Sequence, residues 1–148
     1  MKKMNQTEIK EILTKYQTIA VVGLSRRYEK DSYRVATYLK AHGFRVVPVN
    51  PFADEILGEK SYKSLLDIPA EIQKQIEVVN IFRRPEDVSL IVEQAVKLKS
   101  ENGTPNVVWM QLGIVNAKAA ETARNAGFTV IMDKCIMVEH RDLFPVEA

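Results

Sequence analysis

Apolar positions along this chain follow two alternating periods. Asn5, Thr7 and Glu8 can open a helix, and Ile9, Ile12, Leu13 and Tyr16 then stand at i, i+3, i+4 and i+7 on one face of it. Residues 18–23 form a short apolar strand. A second helical face runs through Val35, Tyr38, Leu39 and His42 and is stopped by Gly43. Residues 44–49 are the next strand, closed by Asn50-Pro51, and a loop with Gly58 leads to a short helical turn near 64–67. Residues 77–82 are a third strand, ended by Arg83-Arg84-Pro85. Val88, Ile91, Val92, Ala95 and Val96 then give the clearest helical spacing, with Pro85 just ahead, where proline is tolerated. A strand over 106–110, an alanine-rich helix over 116–126 ended by Gly127, and a strand over 128–132 complete the alternation.

The strands, IAVVG, FRVVPV, EVVNIF, VVWM and FTVIM, are continuous apolar runs. Such runs are buried on both faces, which predicts an α/β fold: a mostly parallel five-stranded sheet with helices on both faces. AHGFRVV and NAGFTVI share a helix end, a glycine, a phenylalanine and a strand, an echo that any helix-to-strand joint produces. No linker or low-complexity tract divides residues 1–148, which read as one domain.

Composition narrows the function classes. With 46% hydrophobic and 27% charged residues the chain reads as globular, and its apolar runs are too short to span a bilayer. The N-terminal MKKMNQTEIKEIL lacks the apolar stretch of a signal peptide. A single cysteine points to a reducing cytoplasm, and a net charge of +2 is too small for a nucleic-acid surface.

The chemistry belongs at the carboxyl ends of the strands, where open parallel sheets hold ligands. Those ends are Gly23-Leu24-Ser25-Arg26-Arg27, Asn50-Pro51-Phe52, Phe82-Arg83-Arg84-Pro85, Gln111-Leu112-Gly113 and Asp133-Lys134-Cys135. Arg26, Arg27, Lys30, Arg83, Arg84 and Lys134 cluster there although the net charge is small, so the local field favours a polyanion. A strand, a glycine loop and a helix opening near Asp31/Ser32 can hold a phosphate, with Ser25 and Ser32 as hydroxyl donors and Ser32 or Asp31 also able to serve as the helix cap.

Dinucleotide binding is a poorer fit. No second glycine follows Gly23 before Gly43, and Asn50 stands where an NAD-binding chain places a ribose-binding acid. An NAD(P)-linked enzyme or sensor remains an alternative, with the arginine pair on a 2′-phosphate. Metal and nucleophile motifs are lacking: no HExxH, GxSxG or P-loop is present. Cys135 is either a small core residue or a ligand contact, and thiol or acyl-transfer chemistry there is a further alternative. Trp109 reads as core.

Read together, these pieces resemble the stand-alone CoA-binding proteins and, more distantly, the N-terminal CoA-binding domain of the succinyl-CoA synthetase α subunit. The resemblance runs from about Thr18 to Arg141. It is carried by VVGLS at 21–25 with DSYRVA at 31–36, VVPVNP at 46–51, GEKSYKSL at 58–65, NIFRRPEDV at 80–88, WMQLGI at 109–114 and AGFTVIMDKCIMVEH at 126–140. It implies a Rossmann-like three-layer fold and a coenzyme A or acyl-CoA ligand. By that resemblance Gly23, Ser25 and Arg26 meet the phosphates, and Asn50 and Pro51 flank the adenosine end; Leu24, Arg27, Ser32 and Tyr33 beside them are further expected ligand-binding residues. Phe82, Arg83, Arg84 and Pro85 line the ligand, and Gln111, Leu112 and Gly113 border pantetheine or adenine; Cys135, by its place at the crest, is a further candidate ligand contact. RRYEKD is poorer in glycine than the synthetase loop. His140 does not match the synthetase's phosphohistidine context, so the resemblance transfers binding rather than ligase activity.

Overall fold

The computed structural model describes residues 4–146. Its elements are α1 (Gln6–Lys15), β1 (Thr18–Val22), α2 (Asp31–Ala41), β2 (Arg45–Val49), β3 (Glu55–Ile56), β4 (Glu59–Lys60), α3 (Ala70–Gln73), β5 (Val78–Ile81), α4 (Val88–Asn102), β6 (Val107–Met110), α5 (Ala117–Asn125), β7 (Thr129–Ile131) and α6 (Ile136–Leu143). The strand order is β2-β1-β5-β6-β7, and every neighbouring pair is parallel. The Rossmann-like α/β sheet is thus the one expected. Strands are added on one side from β1 to β2 and on the other from β5 onward, which makes the carboxyl ends of β1 and β5 the switch point of the sheet.

Alternation along each strand feeds two cores. Ile19 and Val21 of β1, with Val46, Val78, Val107 and Trp109, pack under α1, α2 and α6. Ala20 and Val22, with Val47, Val79, Ile81 and Val108, pack under α4 and α5. Both faces are covered, so the strand interiors are apolar, and Asn80 in the middle of β5 stands out as a fully buried polar side chain. Asn5 caps α1 by accepting from the Glu8 amide at 2.9 Å, and Asn116 caps α5 by accepting from Ala119 at 2.9 Å.

Three local features depart from the expectations. The Gly58 loop is a hairpin, β3–β4, turning through Leu57 and Gly58, both at positive φ. A helix, α6, follows Cys135 directly; its Ile136 and His140 are buried against α1 and α2. The cap of α2 is Lys30, whose side chain makes no capping bond, rather than Asp31 or Ser32. The Ser32 hydroxyl instead reaches out of the first turn to the preceding loop. Among the described residues no helix is long and apolar enough to cross a membrane, and no cluster of His, Cys, Asp or Glu could hold a metal ion.

Candidate functional site

The loop after β1 begins at Gly23, whose amide donates to Val49 O at 2.9 Å and whose φ is +87°. A Cβ there would sit 2.3 Å from Phe82 O and 3.0 Å from Arg83 Cδ. Only glycine permits this approach, so the ends of β1 and β5 touch directly. The loop is then held by its own serines. Ser25 N donates to Ser32 Oγ at 2.9 Å, and Arg27 N donates to Ser25 Oγ at 3.0 Å. Each hydroxyl keeps its own O–H to donate. The first-turn amides of α2 have no intrahelical acceptor and open at the same place.

Leu24 is fully buried in the α2-side core, which leaves only its backbone to the crest. Its carbonyl accepts from Asn50 Nδ2 at 2.9 Å, while Asn50 Oδ1 accepts from Phe52 N at 2.7 Å. Asn50 therefore ties the β2 end to the β1 loop. Pro51 and Phe52 beyond it are exposed, and Tyr33 packs against the core with a half-buried ring.

The arginines differ in their freedom. Arg27 pairs with Glu29 at 2.6 Å, and Arg83 and Arg84 share Asp87 at 3.2 and 3.0 Å. The Arg84 hydrogen bond holds the Asp87 carboxyl below the usual aspartate range. Asp31 and Arg34 pair within α2. Arg26 has no ion-pair partner among the described residues. The crest is thus basic in sequence but partly neutralised in space.

A cavity of about 530 Å³ lies over the ends of β5 and β6, between the N-termini of α2 and α6. Of the expected site residues, Phe82, Arg83, Gln111, Leu112 and Cys135 line it. Gly23, Ser25, Arg26 and Arg27 form the adjoining loop, and Ser32 sits beside it in the first turn of α2. Pro51, Arg84, Pro85 and Gly113 lie in the crest loops outside its wall; Pro85 O accepts from Asn116 Nδ2 at 2.9 Å, and Gly113 N donates to Asp133 Oδ1 at 2.7 Å. The wall also includes Asp31, Arg34 and Val35 from α2, Ile114, and Met137 and Val138 from α6. Sequence reasoning does not reach the α6 contribution. The available signal is the Ile136, His140, Leu143 spacing, one helical face that begins directly after Cys135.

A parallel sheet with a glycine-opened loop, a helix N-terminus and a cavity at one switch point defines a Rossmann-like domain with a candidate ligand site at the sheet's carboxyl edge. The chain belongs to the CoA binding domain family, whose sequence model matches residues 17–141. It is 41% identical over 140 residues to the uncharacterized protein YneT of Bacillus subtilis, covering 95% of this chain and 97% of YneT. It is similar in structure to a hypothetical protein from Pyrococcus horikoshii, at a TM-score of 0.86 and 40% identity over 97% of this chain and 96% of that one. It is also 32% identical over 137 residues to the α subunit of ADP-forming acetate–CoA ligase II from Pyrococcus furiosus; the match covers 84% of this chain but only 28% of that subunit.

Proposed function

We propose that this protein binds coenzyme A or an acyl-CoA across the carboxyl ends of β1, β5 and β6, as a binding protein rather than a ligase. The carrying observation is the cavity of about 530 Å³ at the switch point, joined to the Gly23 loop through Phe82 and Arg83, in a chain of the CoA binding domain family. The reading divides a long ligand by chemistry. Its phosphates face Arg26, the Ser25 and Ser32 hydroxyls and the α2 N-terminus. Its thiol end enters the cavity, whose wall includes Val35, Phe82, Ile114 and Met137.

Asn50 speaks against a dinucleotide. Its side chain is an amide, held by bonds to Leu24 O and Phe52 N, so this position offers no carboxylate to a ribose diol. One observation favours a contribution from Cys135: it is half-buried in the cavity wall, on the side the ligand thiol approaches.

Titration calorimetry with CoA, NAD and NADP tests the reading, followed by native mass spectrometry with and without reductant. Saturable binding of CoA alone is the expected result. Binding of NADP without CoA would replace it by the dinucleotide reading. A CoA-sized adduct that reductant removes would assign a disulfide to Cys135.

A further inference from the structure

The floor of the cavity carries a polar group that its neighbours orient. Gln111 follows β6 and is 6% exposed. The backbone amide of Ile136, at the start of α6, can only donate, and it lies 3.2 Å from Gln111 Oε1. That bond settles which end of the Gln111 amide is oxygen. Asn80 must then turn its own NH₂ towards the same oxygen, at 3.3 Å, which leaves Asn80 Oδ1 sealed and without a partner. Gln111 Nε2 has no partner among the described residues. It is not among the sealed, unpartnered atoms, which are Ser61 Oγ and Asn80 Oδ1, and Gln111 lines the cavity. One helix-terminal amide thus fixes a chain of two side-chain amides that presents an unused N–H donor to the cavity.

The charged side chains of the cavity wall already have partners: Asp31 pairs with Arg34, and Arg83 shares Asp87 with Arg84, so among the described residues the wall holds no cation without a carboxylate. The remaining wall beside Cys135 is largely apolar, with Phe82, Leu112, Ile114 and Val138. A neutral carbonyl followed by a short apolar group suits this arrangement. A free thiol gives Gln111 Nε2 no strong acceptor, and a dicarboxylic acyl group would bring its charge to Asp31.

We infer that the cavity receives the acyl-thioester end of an acyl-CoA, that Gln111 Nε2 donates to the thioester carbonyl, and that the preferred acyl group is short and uncharged. The inference rests on the CoA reading above and specifies its ligand. Gln111 is in this view a specificity-determining residue, and its geometry is set by Ile136 and Asn80.

The test compares CoA, acetyl-CoA, succinyl-CoA and S-ethyl-CoA by calorimetry on the full chain. S-ethyl-CoA keeps the length and charge of acetyl-CoA but lacks its carbonyl. Acetyl-CoA is expected to bind about tenfold tighter than S-ethyl-CoA, the effect of one buried hydrogen bond, and tighter than succinyl-CoA. Gln111→Glu keeps an oxygen for Ile136 N and Asn80 Nδ2 and replaces the donor by an acceptor. It should abolish the acetyl over S-ethyl preference, and because both ligands carry the same charge, that ratio is insensitive to the added carboxylate. Equal affinity for the two ligands in the unaltered protein overturns the inference while leaving the CoA reading in place, as does a ratio that survives Gln111→Glu. Failure of all four compounds to bind overturns the CoA reading, and this inference with it.

Discussion

The carbonyl oxygen of Phe82 occupies the space that a side chain on Gly23 would need: a Cβ built there lies 2.3 Å from it. This contact joins the β1 loop to the β5 loop at the switch point, so one backbone position serves both fold and site. Gly43 has a similar φ, +89°, but nothing within 4 Å of its Cβ position. Gly43→Ala should therefore cost about 1 kcal/mol from φ strain alone. Gly23→Ala should cost at least about 2 kcal/mol and impair CoA binding as the two loops are forced apart. Urea unfolding of the two variants measures the difference; equal losses would show that the close approach carries no energy.

Arg26 and Arg27 are neighbours with different freedom. Arg26→Ala should weaken CoA binding about tenfold and flatten its salt dependence. Arg27→Ala should do less, because Glu29 already holds that guanidinium. Equal effects in calorimetry at two salt concentrations would remove the distinction drawn from the ion pairs.

Asp87 restrains two arginines on the exposed side of the crest. Asp87→Asn keeps the shape and removes the charge. CoA affinity should rise by up to about fivefold, the scale of an exposed ion pair. A fall in affinity would mean that Asp87 positions Arg83 rather than competing for it.

Asn50→Ala removes one bond between the β1 and β2 ends and one within the loop after β2, and should lower stability by about 1–2 kcal/mol. Hydrogen exchange should quicken at Ser25, Arg27 and Phe52 and stay slow in β5 and β6. Uniform quickening across the sheet would count against a local role.

His140 should give the protein's stability a pH dependence, at a place away from the candidate site. Its Nδ1 is 2.8 Å from Tyr38 Oη, its ring stacks on Phe144, and His42 and Phe44 close around it. Burial, and then the nearby His42, lower its pKa below the ordinary value of 6.5. The unfolded chain therefore binds a proton that the folded chain resists. This contribution to stability is full above about pH 6.5 and declines as pH falls towards the folded-state pKa. Melting temperature should drop over that range, and His140→Phe should reduce the slope; an unchanged slope would assign it to other groups.

Much of the architecture was legible because it depends on local periodicity. Continuous apolar strands alternating with helices admit few solutions besides a covered parallel sheet, and Asn5 and Asn116 mark helix starts with side chains that reach only three residues along the chain. The hairpin at Leu57 and Gly58 was not legible, because a leucine at positive φ has no sequence signature. The helix after Cys135 was hidden by its abruptness: only two residues separate the expected strand end at Met132 from Cys135, and one face of eight residues gives a short period to read.

The sequence by itself determined the crest loops, the basic residues in them and the glycine at the end of β1, because each is set by neighbours along the chain. Only the tertiary structure decided that Asn50 ties the β2 end to the β1 loop and that Gln111 is oriented by Ile136 at the cavity. These outcomes depend on bonds such as Leu24 to Asn50 and Gln111 to Ile136, between residues about 25 positions apart. Hydrogen bonds and ion pairs act at contact distance, and the sheet brings those partners together only after it has formed.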